Sequence, residues 1–110
     1  MVAQILQTEP GQDDPRLLLL SERDNVLVAR QEIAAGDQII VGGQAYVLSK
    51  PVLLGHKVAR SAISEGAKVI KYGVSIGSAV RSIVTGEHVH IHNLKSDYTK
   101  THVIKGSESS

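Results

Sequence analysis

Three stretches of this 110-residue chain repeat one pattern, and the repetition narrows the folds open to it. Val28-Ala29-Arg30 runs through Ile33 to Gly36, Val58-Ala59-Arg60 through Ile63 to Gly66, and Ala79-Val80-Arg81 through Ile83 to Gly86. Aligned on the arginine, the third copy is one residue shorter than the other two. Each copy reads as a strand end, a tight turn whose glycine takes a positive φ, and the start of another strand. The irregular interval between copies argues against a solenoid and for one turn type used three times. No window shows the apolar period that a long helix needs, and residues 61–65 hold a single helical turn at most. The expected fold is a small, turn-rich, mainly β domain.

Short apolar runs supply the strands. Residues 16–20 read as a strand covered on both faces, and Val26-Leu27-Val28-Ala29 as a second. Residues 38–41 and 44–48 flank Gly42-Gly43, the signature of a two-residue hairpin loop. Residues 69–72 and 75–79 flank Gly73-Val74 in the same way. Residues 1–15, with Pro10, Gly11, Asp13, Asp14 and Pro15, read as a mobile or loosely docked lead-in. The domain proper is expected over 16–98, followed by a polar tail over 99–110.

Composition removes several function classes. The chain has no Cys, which excludes disulfides, thiolate metal sites and thiol nucleophiles together. With no Phe or Trp, its core must be built from Val, Ile, Leu and Ala. The formal charge is +1 and no basic block occurs, so no nucleic-acid surface is expected. The longest apolar run, Leu17 to Leu20, cannot span a bilayer, and the start lacks a signal-peptide pattern. A cytoplasmic protein without a membrane partner is the expectation.

The chemistry concentrates in Gly86-Glu87-His88-Val89-His90-Ile91-His92-Asn93-Leu94. On a continuous strand His88, His90 and His92 line one face, while Val89 and Ile91 anchor the other in the core. Imidazole binds metals and moves protons near neutral pH. Residues four apart on a strand lie about 13 Å apart, so one ion takes one or two ligands from this row. Gly55-His56-Lys57 is a second candidate, placing an imidazole and an ammonium beside loop amides. Arg30, Arg60 and Arg81 recur at matched places and suit a structural role at strand ends. No glycine-rich phosphate loop, nucleophile signature or carboxylate pair occurs, and the chain looks too small to enclose a substrate pocket.

Four motifs in order carry a family resemblance: Asp24-Asn25-Val26, Gly55-His56-Lys57-Val58-Ala59, Val69-Ile70-Lys71-Tyr72-Gly73-Val74-Ser75-Ile76-Gly77, and the histidine stretch. Over 24–97 the chain resembles the small N-terminal SAF domain of the altronate and galactarate dehydratases. Its last motif is similar to those of altronate dehydratases and sulfolactate sulfo-lyases rather than galactarate dehydratases. Arg60 departs from the pattern, standing where many relatives carry Leu. The resemblance implies a SAF-like β-clip domain. It also implies a metal-dependent hydro-lyase that dehydrates an altronate-like hexonate to a 2-keto-3-deoxy acid. The sulfo-lyase counterpart and a non-catalytic assembly module are the alternatives. A divalent metal, iron(II) or manganese(II), is implied, held in part or mainly by a large catalytic partner subunit. By resemblance His56, His88 and His90 are the catalytic candidates, Lys57 and Asn93 bind substrate, and His90 and His92 bind metal. In isolation the chain is expected to self-associate.

Overall fold

The computed structural model describes residues 12–97. Nine short strands carry the fold: β1 (Leu17–Leu18), β2 (Val26–Ala29), β3 (Gln38–Val41), β4 (Gln44–Val47), β5 (Lys57–Ala59), β6 (Lys68–Lys71), β7 (Val74–Ala79), β8 (His88–Val89) and β9 (Leu94–Lys95). They form an antiparallel sheet in the order β1-β2-β5-β8, a β3-β4 hairpin, and a sheet in the order β6-β7-β9. The mainly β expectation holds. The first strand is shorter than its apolar run, and Leu18 faces outward because β1 is an edge strand.

The repeated turn occurs four times, at equal length. The additional copy is Leu48 through Val52 to Gly55. The copies align at Ala29, Leu48, Ala59 and Ala79, then at Ile33, Val52, Ile63 and Ile83, then at the four glycines. Backbone bonds lock them together in pairs. Ile33 bridges Val52, and Ile63 bridges Ile83. Gly55 and Gly86 donate their N–H groups to the carbonyls of Ala29 and Ala59, while Gly36 and Gly66 donate to those of Leu48 and Ala79. The arginines are therefore not equivalent. The N–H groups of Arg30, Arg60 and Val80 make the matching bonds, to the carbonyls of Arg16, Asn25 and Asn93, and Arg81 follows one position later. Alignment on the arginine made the third copy look short.

These turns build two half-domains of the same plan, each with its own core. One core contains Ala29, Ile33, Ile39, Leu48, Val52 and Val58. The other contains Ala59, Ile63, Val69, Ala79, Ile83 and Val89, in the same order along the chain. Each buried aliphatic side chain contributes roughly 1.5–3 kcal/mol, so two small cores suffice without an aromatic residue.

Each half ends in a two-residue hairpin turn with positive φ at both positions, Gly42-Gly43 in the first and Tyr72-Gly73 in the second. Each turn is pinned by an acidic residue from elsewhere. Asp13 Oδ1 accepts the Gly42 N–H at 2.9 Å, and Asp14 Oδ2 accepts that of Ile40 at 3.2 Å. Asp24 and Asn25 hold the second turn in the corresponding way, through Tyr72 and Ile70, and Asp24 accepts the Gly73 N–H as well. Residues 12–15 are thus firmly docked, while 1–11 and 98–110 lie outside the described residues.

Asp14 makes this docking sensitive to acid. Burial opposes its charge, but hydrogen bonds from the Arg16 side chain, the Arg16 and Ile40 N–H groups, and the Arg16 charge hold its pKa below the usual carboxylate value. A depressed pKa stabilises the fold above the unfolded-state value near ~3.9, and that stability is lost as pH falls through the folded value. Urea unfolding from pH 7 to pH 3 is expected to show a steeper acid loss for the natural chain than for Asp14→Asn. Identical acid limbs would remove Asp14 from this role.

Candidate metal centre

The site forms where the second half-domain closes onto the first. β5 and β8 pair antiparallel, with Lys57 opposite Val89 and Val58 opposite His88. Continued one step, that register sets His56 against His90. Their rings stack at 4.5 Å between centroids, with 21° between planes. His88 lies 5.5 Å from His56 and 5.4 Å from His90, again stacked. One ring nitrogen from each of His56, His88 and His90 falls within a group no more than 4.8 Å across. His56 Nδ1 and His88 Nε2 are 3.3 Å apart, a separation at which one neutral ring donates its N–H to the other.

The histidine stretch is not one strand. β8 ends at Val89, and the chain turns over residues 90–93. Asn93 makes the turn. Its side chain is fully buried, Oδ1 accepts the His90 N–H at 2.8 Å, and Nδ2 donates to the His88 carbonyl at 2.8 Å. The N–H groups of Asn93 and Leu94 donate to the His90 carbonyl. Ile91, expected in the core, is 82% exposed, while Val89 is buried in the second core and Leu94 packs against it. The turn also brings His92 back to 5.5 Å from His88, far closer than an extended chain permits.

The structure therefore regroups the expected residues. His90 joins His56 and His88 as the set able to ligate one ion, and His92 stands beside them, exposed. Lys57 is half-buried next to His56 on β5. Asn93 spends its amide on the backbone and on the Glu87 carboxylate, and acts on the site by shaping it. Sequence reasoning found every histidine but not the stacking of His56 on His90, which depends on a pairing between segments far apart in the chain.

The electrostatics favour neutral imidazoles. His88 is lowered to about 4 by burial first, then by the fields of His56, His90, His92 and Lys57. His90 is lowered by burial and by His56, Lys57 and His92. Burial and the Lys71 charge lower Lys57 in turn. No carboxylate of the described residues contributes to these shifts. At neutral pH His88 is an unprotonated nitrogen donor, the form that ligates a metal. Ligands about 2.0–2.1 Å from one ion stand roughly 3 Å apart, and each lone pair lies in its ring plane, so the near-parallel rings must turn about their side-chain bonds to share an ion.

The family model described as the altronate/galactarate dehydratase SAF domain matches residues 15–97. Altronate dehydratase of Escherichia coli (strain K12) is 45% identical over 74 residues, which cover 67% of this chain and 15% of that protein. Altronate dehydratase of Bacillus subtilis (strain 168) is 36% identical over 78 residues, 71% of this chain and 16% of the relative. The (2R)-sulfolactate sulfo-lyase subunit alpha of Chromohalobacter salexigens is 54% identical over 43 residues, 39% of this chain and 46% of that subunit. The matched region is thus a small fraction of the altronate dehydratases and about half of the sulfo-lyase subunit.

Proposed function

The chain belongs to the altronate/galactarate dehydratase SAF-domain family, and from that premise we propose that it is the small, metal-binding component of a hydro-lyase acting on an altronate-like sugar acid. The three-imidazole group of His56, His88 and His90 carries this reading. Imidazole suits iron(II) better than manganese(II), which prefers oxygen donors. When bound, the ion supplies a Lewis acid for the substrate carboxylate and for the negative charge that develops at the α-carbon.

The chain's own residues do the rest. Lys57, half-buried beside the triad, binds an acid oxygen by charge and hydrogen bonding. His92, exposed and outside the triad, carries a proton between the substrate and water. Asn93 holds the turn that sets His88, His90 and His92 in place.

A large partner completes the site in this reading. The turn leading into His56 exposes Leu53 and Leu54, and Ile91 protrudes between His90 and His92. Aliphatic groups exposed beside a polar site mark a surface that another chain or domain covers. The relative named subunit alpha supports a two-component assembly. Its 54% identity also favours, as a second reading, elimination of sulfite from a sulfolactate.

Affinity capture of the chain from its native extract, followed by assays on the captured assembly with iron(II) or manganese(II), tests the proposal. Formation of a 2-keto-3-deoxy acid from altronate is expected. Sulfite release from sulfolactate would shift the assignment to the second reading. Neither product from an intact assembly with a large partner would leave a non-catalytic module.

A further inference from the structure

The first hairpin has one open edge. Each of the four turn copies carries a backbone N–H aimed at a neighbouring segment. In three copies that group is taken, the N–H groups of Arg30, Arg60 and Val80 donating to the carbonyls of Arg16, Asn25 and Asn93. In the copy that begins at Leu48 it belongs to Ser49, and no described residue accepts it. The chain path supplies the reason. After β8 the chain turns at Asn93 and returns as β9, which pairs with β7 through Ser78 opposite Lys95. After β5, which matches β8, it runs on into the turn at Ala59, and β4 has β3 as its sole partner. A cleft of about 420 Å³ opens beside this edge, with Val47, Ser49 and Lys50 on one side and Val84, Thr85 and His88 on the other. The expectation that the chain is too small for such a space is corrected: the two half-domains leave it where they meet.

We propose that the edge is completed by a second copy of this chain, β4 pairing antiparallel with β4 about a two-fold axis at Val47. The two hairpins then form one four-stranded sheet across the two molecules. The proposal goes beyond the hydro-lyase reading and does not depend on it. It gives the self-association expected from the sequence a surface.

Backbone geometry sets the register. Leu48 donates its N–H inward, to the Asp37 carbonyl at 2.9 Å. Backbone groups alternate along a strand, so those of Ala45 and Val47 and the Ser49 N–H point outward. An axis at Val47 lets the two Val47 residues exchange both their bonds. It also gives each Ser49 N–H the Ala45 carbonyl of the other copy. This is the arrangement that β9 makes on β7, where Ser78 and Val80 hold the places of Val47 and Ser49.

The side chains suit a like partner. From Gln38 to Ser49 no residue is charged, so two such edges meet without repulsion. Lys50, the next charge along, falls opposite Gln44 of the other copy. Val47, 66% exposed, gains the facing Val47 as its cross-strand neighbour. Open edges are ordinarily blunted by charge, brevity or cover. The other edge strands among the described residues show these devices. β1, β8 and β9 have two residues each, and Asp14 and Asn25 cover β3 and β6. β4 has none of them.

The test is sedimentation equilibrium of the full chain from about 10 µM to 1 mM, a range that suits a small interface. The natural chain is expected to approach twice the monomer mass. Val47→Lys, at an exposed position, is expected to weaken association at least about ten-fold, because it sets two ammonium groups opposite each other. The chain has no Cys, so an introduced one reads the register. Val47→Cys should oxidise to a linked dimer, since facing Cα atoms stand ~5.5 Å apart. Ala45→Cys should not, since its two copies lie at least ~13 Å apart. A monomer throughout the range would overturn the proposal, and so would a dimer that Val47→Lys leaves intact. Slow hydrogen exchange of the Ser49 amide in a monomer would also overturn it, giving the edge to a segment of the same chain. Cross-linking of Ala45→Cys as readily as Val47→Cys would overturn the register.

Discussion

Replacing His56, His88 or His90 singly with alanine is expected to strip the bound ion, whereas His92→Ala is expected to retain it. The ring nitrogens of the first three form one group, and His92 stands outside it. Loss of a direct ligand costs more than the ~10–100-fold that removal of even an outer partner costs, so each of the three variants should bind iron(II) at least ~10²-fold more weakly. Metal content after dialysis, read by mass spectrometry, makes the measurement. Activity should divide differently. All four variants lose turnover, the first three with their metal and His92→Ala by about 10²–10⁴-fold as a proton carrier. Thermal unfolding of the metal-free variants should stay close to that of the parent, because none of these rings lies in either aliphatic core. Equal metal retention in all four variants would dissolve the triad. Full activity of His92→Ala would move the proton step into the partner.

The contrast between His90 and His92 also shows what the sequence hides. Both lie in an alternating run that reads as one strand, and that imidazoles gather there was legible from residue type alone. Its shape was not, because Asn93 ends the strand from within by taking the His90 N–H and the His88 carbonyl for its own side chain. A local side-chain bond of this kind competes with the ladder and leaves no mark in the apolar pattern. The hairpin over 38–47 was legible to within a residue, because Gly-Gly between β-branched runs has few other uses. The fourth turn escaped because Leu48 and Val52 replace its alanine and isoleucine, and Pro51 disguises the linker. The arginines misled for a related reason. They are the most conspicuous residues in the pattern, but the backbone bonds select on the small residue before the turn, and Arg81 lies one place away from that rule.

The two halves also differ in how they hold their hairpin turns, and this gives the largest expected effect on stability. In the second half the turn places Tyr72 at φ 58°, the sole non-glycine residue with positive φ among those described. A side chain there costs roughly 1–2 kcal/mol, and it is Gly42 that holds the matching place in the first half. Asp24 offsets the cost. Buried to 3% exposure, its carboxylate accepts the N–H groups of Ser21 at 3.1 Å, Tyr72 at 3.0 Å and Gly73 at 2.8 Å. Asp24→Ala strands these donors, and charge-assisted bonds contribute about 1.5–3 kcal/mol each before water recovers part of the loss. A net cost of about 3 kcal/mol is expected, lowering the Tm by roughly 12–24 °C in a domain of this size. The decisive variant is the double one. Tyr72→Gly added to Asp24→Ala should return about 1 kcal/mol, because it removes the strain that the carboxylate was holding. The 67% exposed Tyr72 ring takes little packing with it. If Tyr72→Gly instead destabilises the Asp24→Ala chain further, the ring rather than the backbone is what Asp24 serves. If Asp24→Ala unfolds within a degree or two of the parent, the turn needs no pin at all.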